Sequence, residues 1–360
     1  MKIKTLILPV LVLIAVTACK KTVTPSTDID PKIERRDVLT QIASNVIYTT
    51  YNDMSVKAGI LSANVAAFNA SGSAADQLKC QSSWKEVRSA WEQSEGFLFG
   101  PVSSDDIDPR IDTWPIDFAR MDSVLASSAV FTASYIDGLE ESLKGFHPIE
   151  YLLFGADGNK APADFTGRQK DLLAALTLNL KSLCDQVKSS WDPSNADNYT
   201  NKFVTAGYGS DQYETQRAAY EEVVDAMAGI CDEVANGKIK EPFEAMDPTK
   251  EESPFAKNSI TDFTNNIKSV QNIYLGKYNA DGKGLEDLIK SNNAAMDGAI
   301  KTKIASAITS LNNISMPFGQ AIMTSNGQRT QVQNAINAIE DLHVYLESDV
   351  KTYVQVLTNN

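Results

Sequence analysis

Histidine is nearly missing from this chain: only His147 and His343 occur in 360 residues. No H-E-x-x-H pair exists, so a tetrahedral, histidine-rich zinc site is excluded. Cysteine is almost as scarce. Cys19, Cys80, Cys184 and Cys231 are scattered without a C-x-x-C spacing, which excludes a disulfide scaffold, a zinc ribbon and dithiol redox chemistry. The last three leave room for one bridge, Cys184 to Cys231, with Cys80 as a buried thiol, and the sequence does not decide it. Positive charge is in deficit, with 33 basic against 46 acidic residues and a formal net charge of -13. That balance argues against a nucleic-acid partner and is compatible both with cation handling and with simple solubility. There is no G-x-S-x-G elbow, no phosphate-cradling glycine loop and no sustained strand-type alternation.

What the chain does have begins at its start. Lys2 and Lys4 precede an apolar run from Leu6 to Val16, and Val16-Thr17-Ala18-Cys19 closes it. This is the layout of a lipoprotein signal over residues 1–18, with Cys19 as the lipidated first residue of the mature chain. Lipid on Cys19 anchors the protein to a membrane while its folded body sits in water outside the cytoplasm, in the cell envelope. Residues 19–32 are polar, contain two prolines and read as a flexible tether.

Beyond the tether, apolar residues recur at helical spacing. Val38, Ile42, Val46 and Tyr51 form one stripe, and Leu172, Leu176, Leu180, Leu183 and Val187 form another. The fold class is therefore all-α. Length favours two helical-bundle domains, and the proline- and charge-rich stretch from Asn236 to Pro254 predicts the joint: 33–245 before, 246–360 after. A faint similarity between "SWKEVRSAWEQSEGFLFG" and "SITDFTNNIKSVQNIYLG" hints at internal duplication. The "KYNADGKGLED" stretch lacks the ligand spacing of a calcium loop and reads as a turn between helices.

One stretch concentrates the chemistry. In "ESLKGFHPIEYLLFG", Pro148 predicts a helix that begins there, with His147 at its edge and Glu150 at its third position. Glu150 can then either cap the helix or coordinate a metal. The positive helix end favours a neutral imidazole beside an ionised carboxylate, the states a metal ligand needs. One imidazole with carboxylates is a mixed nitrogen and oxygen set that suits iron, manganese or a weakly held zinc. Further oxygens are available from the aspartate-rich loop Phe99 to Asp117. His343 reads as a surface or core-edge residue.

Gly145-Phe146-His147-Pro148-Ile149-Glu150 resembles the G-x-H-x-x-E motif of the imelysin family, also known as peptidase family M75. The blocks "RSAWEQSEGFLFGP", "IDTWPID" and "NSITDFTNNIKSVQNIYLG" are similar to the family's other recurrent segments in the same order. The resemblance implies two helical bundles with the motif near their interface, and association with iron uptake or, under the family's other label, metallopeptidase activity. Carried over, it makes His147 and Glu150 the pair that binds a metal or ligand and Gly145 the backbone hinge. Arg88, Asp112 and Asp117 become pocket-lining residues, and Trp91, Trp114 and Pro115 packing residues. The implied cofactor is a metal ion, iron or else zinc, and the implied partners are the membrane and iron-uptake transporter components.

Overall fold

The structure is a computed structural model that describes residues 31–325 and 327–358. The expected signal peptide, Cys19 and most of the expected tether lie outside the described residues. Every regular element among them is helical, as expected for an all-α chain. The helices that carry the argument are α1 (Thr49–Ser71), α2 (Ala74–Glu92), α3 (Phe146–Phe154), α4 (Gly167–Trp191), α5 (Gln216–Asp232), α6 (Ser259–Leu275), α7 (Ala294–Asn312) and α8 (Arg329–Tyr345). None among the described residues is long and apolar enough to cross a membrane.

Local chemistry explains the helix ends. The Ser73 hydroxyl accepts from the Asp76 N–H to start α2, and Thr166 with Gln169 forms a reciprocal capping box at α4. The stripe on α4 is buried as its spacing predicts, with Leu176, Leu180 and Val187 fully enclosed. The earlier stripe is more informative. Val38, Ile42, Val46 and Tyr51 are spaced four, four and five apart, too wide for a regular α-helix to keep on one side. The chain answers with a π-helical segment, Ile42–Tyr48, between Pro31–Gln41 and α1, and all four side chains are buried.

In the packing, α1 lies against α2 and α4, α3 against α2 and α4, and α5 against α8; α7 bridges α6 and α8. Helices α2 and α6, the pair that hinted at duplication, pack directly on each other. The stretch read as the joint between domains is partly helical. A π-helical segment, Glu233–Ile239, continues from α5 into Lys240–Ala245, and Glu251 and Glu252 beyond it are buried. Lys238, Glu251 and Glu252 turn inward, while Glu241, Glu244 and Lys250 face solvent. Cys80, Cys184 and Cys231 are separate buried thiols, so the Cys184 to Cys231 bridge does not form. The 277–284 stretch is a turn, entered through Gly276 in left-handed conformation.

Candidate functional site

The buried side of α2 carries two charged residues, Arg88 and Glu92, a helical turn apart. The Arg88 guanidinium is fully buried and surrounded by acids. Its Nε lies 2.6 Å from Glu92, its Nη1 donates to Asp112, and its Nη2 donates to Glu252 at 2.5 Å. Asp112, the last residue of the short helix Ile107–Asp112, also accepts from the Trp91 indole N–H at 2.6 Å. Burial alone would raise the Asp112 carboxyl, but Arg88 and His147 hold it well below the usual carboxylate range.

Asp112 also faces His147, whose Nε2 lies 3.2 Å from Asp112 Oδ1 while its Nδ1 lies 3.6 Å from Glu150 Oε2. Both ring nitrogens and that Glu150 oxygen are buried and lack an aligned hydrogen-bond partner. Trp114 packs on the imidazole at a centroid distance of 4.8 Å. Burial disfavours the imidazolium, yet the two carboxylates outweigh it and lift the His147 pKa to about 9. The expected neutral imidazole is thus corrected: two flanking acids beat the helix end.

Behind Arg88 the polar interior continues. Lys238, from the π-helical segment, reaches Glu95 at 3.3 Å and Glu252 at 3.4 Å. The Asn266 amide of α6 donates to Glu92 at 2.6 Å and to Glu95 at 2.8 Å. Acids exceed cations here, and protons make up part of the difference. Burial pushes Glu92 up to about 8, burial and Glu92 push Glu95 well above its ordinary range, and burial raises Asp262 to about 6.

Comparison with known proteins shows the family of the chain. Residues 47–346 match the family model described as imelysin, peptidase M75. The chain belongs to the imelysin family. It is 28% identical over 316 residues to iron-regulated protein A of Synechococcus elongatus, covering 86% of this chain and 84% of that one. A crystal structure described as an iron-regulated protein A precursor from Parabacteroides distasonis superposes with a TM-score of 0.81 at 25% identity, covering 92% of this chain and 97% of that one. An imelysin-like protein from Psychrobacter arcticum shares the fold, with a TM-score of 0.71 at 14% identity over 90% of this chain and 96% of its own.

Within this imelysin chain the predicted residues divide clearly. His147, Glu150, Arg88 and Asp112 come together, and Gly145 holds the N-cap position of α3 at φ 80°. The helix starts at Phe146, two residues before the expected Pro148, because Pro148 still sits in the first turn, where its missing N–H costs nothing. Glu150 is therefore not a capping residue; its Oε1 accepts from the Ala256 N–H at 2.7 Å and ties α3 to the segment before α6. Asp117 is not part of the cluster. It caps the helix Phe118–Ala126 by accepting from the Arg120 N–H. Trp91 does more than pack, since its indole anchors Asp112. His343 is half-buried, 3.2 Å from Glu347.

Sequence reasoning missed Glu252, Lys238, Glu92, Glu95 and Asn266. Glu92 was legible as the partner of Arg88 one turn along α2. Glu252 and Lys238 were hidden in the charge-rich stretch that reads as a linker.

Two groups of side chains in this interior have the composition of a metal site. Asp112, His147 and Glu252 each place a ligand atom within 4.8 Å of the others, and so do Glu92, Glu95 and Asp112. The first is a mixed nitrogen and oxygen set of the kind that suits iron. His147, with two unpaired nitrogens, has a coordinating position to offer once its proton leaves.

The protonation states give a stability prediction for the metal-free protein. The native state binds a proton at His147 that the unfolded chain, at its ordinary 6.5, releases. That stabilisation is complete below pH 6.5 and is lost as pH rises through about 9; Glu92 acts in the same direction between 4.5 and about 8. Unfolding free energy from urea titration is expected to fall by roughly 3 kcal/mol from His147 across this window. His147→Gln should flatten the slope, and stability that rises with pH would contradict the assignment.

Proposed function

We propose that this chain is an exported protein, lipid-anchored through Cys19 in the cell envelope, that binds iron for uptake by membrane transporter components. The ion is held by His147, Asp112 and Glu252, with zinc as the alternative metal. The observation that carries this reading is the wholly buried imidazole, with Nε2 beside Asp112 and Nδ1 beside Glu150, neither nitrogen aligned in a hydrogen bond. Nε2 is then the ligating atom, and Glu150 orients the ring from the other side, a supporting role rather than a ligand's. The likeness to proteins described as iron-regulated supports the choice of iron.

Binding is favoured over the family's peptidase label by access. Hydrolysis needs an open coordination position that a peptide can reach. His147 and Glu150 are completely enclosed, and Trp114 covers the ring. An incoming cation must also expel the His147 proton and loosen Asp112 and Glu252 from Arg88, so affinity should rise with pH.

Anaerobic iron(II) titration of the purified protein, run beside a peptide-cleavage assay, tests this. One iron per chain is expected, with protons released on binding. Binding should be lost in His147→Ala and weakened about 10- to 100-fold in Glu150→Gln. Metal-dependent cleavage abolished by both His147→Ala and Glu150→Ala would overturn the binding role. Iron and zinc binding no stronger than in the double-alanine variant would overturn the metal role altogether.

A further inference from the structure

Beside the polar interior lies a cleft of about 730 Å³, a volume typical of small-molecule sites. Its walls are the rings of Trp114, Phe118, Tyr151 and Phe255, together with prolines. The rings meet edge to face: Phe118 and Tyr151 at 5.0 Å, Tyr151 and Phe255 at 5.2 Å, Trp114 and Phe255 at 6.0 Å. This arrangement offers flat and angled surfaces on which another ring can pack.

Polar groups in the lining are few: the hydroxyls of Thr249 and Tyr151, the Trp114 indole and one ionisable acid, Glu251. No lysine, arginine or histidine is among the residues that line the cleft, whereas Glu251 is. Glu251 is only 5% exposed. Its Oε2 accepts from the Ser259 hydroxyl at 2.8 Å and the Gly319 N–H at 3.2 Å. Its Oε1 receives no hydrogen bond among the described residues. An acceptor carboxylate oxygen without a protein partner, on a mostly buried residue beside an aromatic wall, leaves a hydrogen bond for a ligand to supply.

We propose that this cleft binds an uncharged aromatic ring bearing a hydroxyl group, a phenol, which stacks among the four rings and donates to Glu251 Oε1. Anionic rings are disfavoured, because Glu251 has no basic neighbour in the lining to offset a second negative charge and Glu150 lies behind it. The site goes beyond the iron reading and does not depend on it. It adjoins His147 through Trp114, which contacts the imidazole on one side and lines the cleft on the other.

Resorcinol is a suitable probe, because its two hydroxyls are too far apart to chelate a metal. Trp84, Trp91 and Trp191 are fully buried, so Trp114 is the tryptophan placed to report quenching from the cleft. Resorcinol should quench saturably, in metal-free and iron-loaded protein alike, and bind about tenfold more tightly than benzoate. Phe118→Ala, at a ring that is 42% exposed, should weaken resorcinol about tenfold. Glu251→Gln should narrow the preference over benzoate. The proposal is overturned if quenching does not saturate, if benzoate binds as well as resorcinol, or if both variants bind as the wild type does. Each of these results leaves the iron titration untouched.

Discussion

Replacing Arg88 by methionine is expected to destabilise the protein by about 3–5 kcal/mol, the cost of leaving buried charge without its partner. Methionine keeps most of the side-chain length, so packing against Phe146, over whose ring the guanidinium lies at 5.0 Å, is largely preserved. What disappears is the cation shared by Glu92, Asp112 and Glu252. These carboxylates come from three separate segments, and without Arg88 they repel one another where water cannot screen them. Asp112 is the most exposed to the loss, since Arg88 is the main reason it stays ionised although buried. Its folded pKa should climb, so the penalty is greatest near neutral pH and shrinks as acid protonates it. Urea unfolding at two pH values measures both effects. Adding Asp112→Asn to Arg88→Met should recover part of the loss, because one of the orphaned charges is gone. A loss below about 1 kcal/mol would mean that the three acids do not need the guanidinium.

The same residues show why the fold was more legible in the sequence than the site. Leu172 to Val187 repeat at the helical period because a buried stripe must, and the structure encloses them as read. The motif pair His147 and Glu150 stood out through rarity and spacing. The rest of the cluster carries no periodic signal. Asp262 and Asn266 lie on a buried face of α6, where polar residues one turn apart would ordinarily mark a solvent face. Lys238 and Glu252 sit among prolines and charges whose local composition suggests a linker, and only tertiary packing turns them inward. Protonation was equally beyond local reasoning. The start of α3 argues for a neutral His147, and it is Asp112, remote in sequence, that reverses the outcome. The stripe at Val38 to Tyr51 reads as ordinary helical spacing, and the π-helical segment that its four-four-five intervals require emerges only in the structure.

Gly145→Ala is expected to be nearly as damaging as the loss of Arg88, for a reason of backbone rather than charge. Gly145 has φ 80° and ψ -155°, a conformation essentially restricted to glycine. A Cβ there would lie 2.0 Å from the Ile111 carbonyl oxygen and 2.5 Å from its carbon. Neither atom is the tip of a flexible side chain, so the peptide bond before Asp112 must move or the start of α3 must. Strain and overlap together should cost about 3 kcal/mol or more. One of these elements carries Asp112 and the other His147, so the damage cannot stay local. Asp112 would shift from Arg88 and from His147 Nε2 at once. The His147-dependent slope of stability between pH 6.5 and about 9 should therefore flatten along with the fall in the urea midpoint. A Gly145→Ala protein that loses stability but keeps the full slope would show that the glycine serves only the turn. Loss of both would show that the close approach of Gly145 to Ile111 is what sets Asp112 against the imidazole.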